Sequence, residues 1–158
     1  MPRSRFWFVA TVLAVSSLFV PLAHSQPPKA KATPRLEPVA ETKLLMEGIA
    51  NPNTKALGKL LLAKPKDAEG WAFIRGQALL LGEMGNLLMI RPPRTKAGEE
   101  TWIVDAAELR TNATALAKAA AAKDYLQARK SLASVANVCN RCHQSFRVGI
   151  RVDPFAEQ

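Results

Sequence analysis

From Tyr125 the chain repeats a core position every seven residues: Tyr125, Leu132, Cys139, Phe146. Ala128, Val135 and Cys142 fill a second position at the same interval. Two such positions per heptad mark the seam of a helix packed in a bundle. The seam contains the only two cysteines of the chain, and they stand in Cys139-Asn140-Arg141-Cys142-His143. C-x-x-C-H is the attachment signature of a c-type haem. Two thiols become thioethers on the haem vinyl groups, and the histidine ligates the iron from the proximal side. The helix explains the spacing. At about 100° per residue, Cys139 and Cys142 lie roughly 60° apart and His143 about 40° beyond Cys139. All three point into one arc, and Phe146 falls in the same arc, where it would pack on the ring. A thioredoxin-like C-x-x-C would sit near a βαβ pattern, and no strand period surrounds this one. A closed zinc site needs four ligands, and the motif offers three.

The preceding segments repeat the helical pattern. Met46 and Ile49 share a stripe with Val39 and Thr42, with Leu45 beside it. Asn51-Pro52 interrupts that helix, which is expected to kink or restart and run on to Ala63 with Leu57, Leu60 and Leu61 inward. Lys64-Pro65-Lys66 is a turn, and Asp67 is a helix N-cap. Trp71, Ile74, Ala78, Leu81 and Leu88 then mark a stripe of a second helix, ending before Arg91-Pro92-Pro93. Gly82 and Gly85 leave room there for close approach of a neighbour. A third helix opens at Gly98-Glu99-Glu100. In it Trp102, Leu109 and Leu116 alternate with Ala106, Ala113 and Ala120. Asn112-Ala113-Thr114 matches a glycosylation sequon, but it sits mid-helix. Asp124 caps the fourth helix, and residues from Val148 leave it near Gly149 and Pro154. The expected fold is all-α: an antiparallel four-helix bundle with haem c held covalently on the C-terminal helix.

The N-terminus adds a compartment. Arg3 and Arg5 precede an apolar run from Phe6 to Val20, and Ala23-His24-Ser25 offers small residues around a cleavage point. Residues 1–25 therefore read as a secretory signal peptide. The apolar run is short for a spanning helix; only if the segment is retained would it anchor the chain to a membrane. Residues 26–38, QPPKAKATPRLEP, read as an extended Pro/Lys/Ala leader. Residues 39–150 form the haem-binding bundle, and 151–158 a C-terminal tail. Cleavage removes Arg3 and Arg5 and lowers the formal charge from +9 to +7. No nucleic-acid motif accompanies this charge; a redox partner with an acidic docking surface is the expected counterpart.

The motif continues as Gln144-Ser145-Phe146-Arg147. A C-terminal C-x-x-C-H-x-x-Phe-Arg on the last helix of such a bundle resembles the class II c-type cytochromes, which comprise cytochrome c′ and its low-spin relatives. The resemblance is specific at the motif and architectural over roughly Val39 to Arg147. It implies a periplasmic monohaem protein, a homodimer in much of the cytochrome c′ branch, and haem contacts from Phe146 and Arg147. Arg147 reads equally as a solvated cation at a helix end. The family usually carries an arginine on its first helix, one turn before the distal residue; Thr42 and Lys43 stand there here.

The sixth ligand decides the function. With His24 in the signal segment, His143 is the one remaining histidine, so bis-histidine ligation within a chain is excluded. Met46, Met84 and Met89 remain. The resemblance implies Met46, at the position where low-spin relatives carry their ligand, while Met84 and Met89 read as packing. With Met46 bound, the protein is a one-electron carrier. With the distal side blocked but not ligated, it is a five-coordinate haem protein that binds nitric oxide or carbon monoxide. A third reading is a secreted helical module with a reactive dithiol. No acid–base constellation accompanies the motif, so an enzyme is not expected.

Overall fold

The computed structural model describes residues 35–93 and 96–156. The signal segment with His24, and most of the leader, lie outside these residues. Helices account for about three quarters of the described chain: α1 (Thr42–Leu45), a π-helical turn (Met46–Ala50), α2 (Asn51–Ala63), α3 (Ala68–Met89), α4 (Lys96–Ala121) and α5 (Tyr125–Ser145). The first three segments run on without a break, so the bundle has four rods, as expected. No described helix is long and apolar enough to cross a membrane.

The interruption at Pro52 takes a specific form. Asn51 has helical dihedrals, φ −63° and ψ −54°, and its side chain caps nothing. The helix therefore does not restart. It widens into a π turn immediately before Pro52. A proline lacks a donor and crowds the carbonyl four residues back, and one wider turn absorbs both defects. The helix also begins later than its stripe suggests: Glu41 is the N-cap, and Val39 is 97 % exposed. Val39 therefore lies outside the inward stripe.

Sequence-read caps hold elsewhere. The Asp67 carboxylate accepts from the Gly70 N–H at 2.7 Å, and Asp124 from the Gln127 N–H at 3.0 Å. The fully buried side chains come from every rod: Leu57 and Leu61 on α2, Ile74, Leu81 and Met84 on α3, Leu116 on α4, Leu132 and Val135 on α5. Each such burial contributes ~2 kcal/mol. Small residues set the spacing between α3 and α4. A Cβ on Gly85 would stand 2.7 Å from the Ala106 carbonyl oxygen, whereas one on Gly82 would make only ordinary contacts. Thus Gly85, and not Gly82, permits the close approach, opposite the alanine side of the α4 seam.

α5 stops earlier than expected. Phe146 is its C-cap, and Arg147 turns the backbone at φ 56°. The departure is at Arg147, two residues before Gly149, because the Val148 N–H closes back onto the His143 carbonyl at 2.7 Å. The segment beyond, read as a tail, packs on the bundle. Pro154 is buried, and its carbonyl lies where a Cβ on Gly58 would be. The Phe155 ring lies 4.3 Å from the Arg129 guanidinium.

Candidate haem site

The heptad seam of α5 delivers the motif to one end of the bundle core. There an apolar cleft is lined by Cys139, Cys142 and His143 from α5, Met46 and Ala50 from the π turn, Leu81, Met84 and Leu88 from α3, and Trp102, Asp105, Ala106 and Leu109 from α4. The three motif side chains thus share one side of α5, as the arc argument requires. Met46 and His143 both line this one cleft, and so does Met84.

Each motif residue has a definite role in the geometry. The His143 Nδ1 lies 2.8 Å from the Ile150 carbonyl oxygen. A carbonyl can only accept, so Nδ1 carries the proton and Nε2 is left with its lone pair, the state a metal-ligating imidazole needs. Burial pushes the Cys139 thiol up to about 11. Burial, reinforced by the Asp105 carboxylate, pushes Cys142 up to about 12. Both are thus held as thiols at neutral pH. A reactive dithiol calls for the reverse, a lowered thiol pKa.

Arg141, between the cysteines, fastens α5 to α4. Its Nε and Nη2 donate to Asp105 Oδ1 at 2.9 and 2.7 Å, and its Nη groups reach Glu108. Glu108 and then Asp105 raise the guanidinium above its ordinary range, against the opposing effect of burial. Asp105 is only 4 % exposed, and its Oδ2 is buried with no partner among the described residues. Sequence reasoning missed Asp105. Its signal was an acid adjacent to the Trp102–Ala106–Leu109 seam of α4.

Phe146 stands against Trp102, edge to face, with ring centroids 5.2 Å apart. Trp102 in turn lines the cleft, and its Nε1–H donates to the Leu88 carbonyl at 2.7 Å. Phe146 therefore supports the cleft wall through Trp102. Arg147 is exposed, and its side chain makes no hydrogen bond among the described residues. Met89 does not line the cleft and packs half-buried against the core.

The donor set fits haem c: two thiols, an imidazole of fixed tautomer, and apolar walls. Of the elements that line the cleft, the π turn is the least buried: it has no fully buried residue, and Leu45 just before it is the one buried residue of α1.

The family model described as cytochrome C′ matches residues 96–147, that is α4, α5 and the motif through Arg147. No curated protein and no solved structure matches the chain. The matched segment contains the C-x-x-C-H seam and the α4 wall of the cleft. With these on one all-α bundle, the chain is similar to cytochrome C′ over its third and fourth rods, and that match supports one covalently attached haem c as its cofactor.

Proposed function

We propose that the chain is a periplasmic one-electron carrier whose haem iron is ligated by His143 and Met46. The single observation that carries this reading is that both side chains line one apolar cleft together with both motif thiols. When bound, the haem supplies a ferric–ferrous couple. The chain supplies the rest. Cys139 and Cys142 would fix the macrocycle to α5. The Ile150 carbonyl holds His143 in the tautomer that presents Nε2. Met46 offers a thioether, and His/Met ligation raises the reduction potential. Leu81, Leu88, Trp102 and Leu109, which line the cleft, would keep water from a bound metal. Exposed Arg147 and Arg151, just beyond the motif, would steer an acidic partner.

One observation favours a second reading, a five-coordinate protein that binds nitric oxide or carbon monoxide: the matched family is cytochrome C′. Absorption spectra of periplasmically matured protein, ferric and ferrous, with and without carbon monoxide, separate the two. The carrier reading expects a low-spin spectrum indifferent to carbon monoxide, and conversion of Met46→Ala to a high-spin, carbon-monoxide-binding form. A wild-type protein that is already high-spin and binds carbon monoxide overturns it in favour of the second reading. A Met46→Ala variant that stays low-spin moves the ligand to Met84, which lines the same cleft.

A further inference from the structure

The proximal histidine is held by a segment outside the part of the chain that matches the family. Residues 96–147 match. Ile150, whose carbonyl accepts from His143 Nδ1–H at 2.8 Å, lies beyond them. A single carbonyl on an exposed chain end would not hold a ring in place, because ordering that end costs conformational entropy. Here the segment is tied down at three places. The Asn140 amide engages Val152 with both its ends: Nδ2–H donates to the Val152 carbonyl at 2.8 Å, and Oδ1 accepts from the Val152 N–H at 2.7 Å. Pro154 is buried against Gly58 of α2, so close that any Cβ there would collide with its carbonyl. The Phe155 ring is held under Arg129.

We propose that this C-terminal strap positions the proximal imidazole, and that Asn140, the first residue between the motif cysteines, is its positioning residue. The proposal rests on the reading of His143 as the iron ligand. Asn140 lies on α5, three residues before His143, and grips the strap two residues after Ile150. One turn of helix and one short extended segment thereby close a loop that sets the carbonyl against the ring. An amide is needed because Val152 presents both a donor and an acceptor, and a carboxylate cannot donate to the carbonyl. The acceptor on Nδ1–H makes the imidazole a stronger donor to the metal and fixes its rotation. A stronger donor favours the ferric state, so the strap lowers the reduction potential relative to an untethered ring.

The test compares matured holoprotein with Asn140→Ala, which releases the strap near the haem, and Gly58→Ala, which displaces it at Pro154 and lies outside the cleft lining. Two quantities are measured: the midpoint potential, and solvent exchange of the hyperfine-shifted ring N–H of the ligating histidine in ferric protein. Asn140→Ala is expected to raise the potential and to speed ring N–H exchange about tenfold, the worth of one hydrogen bond. Gly58→Ala is expected to move both in the same direction by less. If Asn140→Ala does not mature, Gly58→Ala decides alone. Unchanged potential and exchange in the variants overturn the proposal. A wild-type protein with no hyperfine-shifted, non-exchangeable histidine ring C–H signals fails at an earlier step, because it refutes ligation by His143 itself; ring C–H signals without a protected N–H overturn the strap alone.

Discussion

Replacing Arg141 with leucine should destabilise the protein far more than loss of a surface ion pair. Arg141 is 48 % exposed and Glu108 43 %, so that half of the cluster alone would be worth ~0–1 kcal/mol. Asp105 differs, being 4 % exposed and receiving both Nε and Nη2 of Arg141 on one oxygen while the other oxygen has no hydrogen-bond partner among the described residues. Removing one member of a fully buried pair costs ~3–5 kcal/mol, because the survivor is a buried charge without compensation. With one partner buried and the other half in water, Arg141→Leu should cost about 2 kcal/mol. For a domain of this size that lowers Tm by about 8 °C. Urea unfolding of the holoprotein, followed by circular dichroism at low and high salt, gives the value. The double variant Arg141→Leu/Asp105→Asn should recover about half of the loss, since it removes the stranded charge. A loss below ~0.5 kcal/mol, or a double variant no better than the single one, would refute the argument that Asp105 is the costly partner.

Two glycines of α3 should respond with opposite sign. Gly85→Ala forces a Cβ to 2.7 Å from the Ala106 carbonyl and 3.0 Å from the Arg110 backbone nitrogen, and should cost ~2 kcal/mol as α3 and α4 separate. Gly76→Ala meets nothing within 4 Å and should gain ~0.5–1 kcal/mol from helix propensity. Thermal melts of both variants check this. In the haem-free chain, the folded thiols titrate at about 11 and about 12, above the ordinary value of 9.0. The unfolded chain therefore loses these protons first, and stability should fall as pH rises from about 9 towards 12. After haem attachment both thiols are thioethers, and this part of the pH dependence should vanish; urea titrations of both forms across that range provide the measurement.

The sequence carried most of the bundle and the centre of the site. Heptads in α4 and α5 named the buried positions, Ala106, Ala113, Leu116, Leu132 and Val135 among them. Asp67 and Asp124 announced their helices because a capping carboxylate acts on its own chain within three residues. Val39 was misjudged because a stripe shows periodicity but not where the first hydrogen-bonded turn begins. Pro52 announced a disturbance, but a capped restart and a π turn use the same residues. The choice between them depends on whether the flanking segments pack as one rod.

What the sequence determined alone is local chemistry: the C-x-x-C-H arc on a helix, the donor set it presents, and the all-α class. These follow from spacing along one chain and from fixed helical geometry. Only the tertiary structure decided which distant groups reach that arc. It brought Met46 and Met84 into the cleft, set Asp105 under Arg141, placed Trp102 between Phe146 and the cleft, and folded the strap so that Ile150 meets His143. Such contacts join residues that have no periodic relation to one another. They arise from how rods and a returning segment pack.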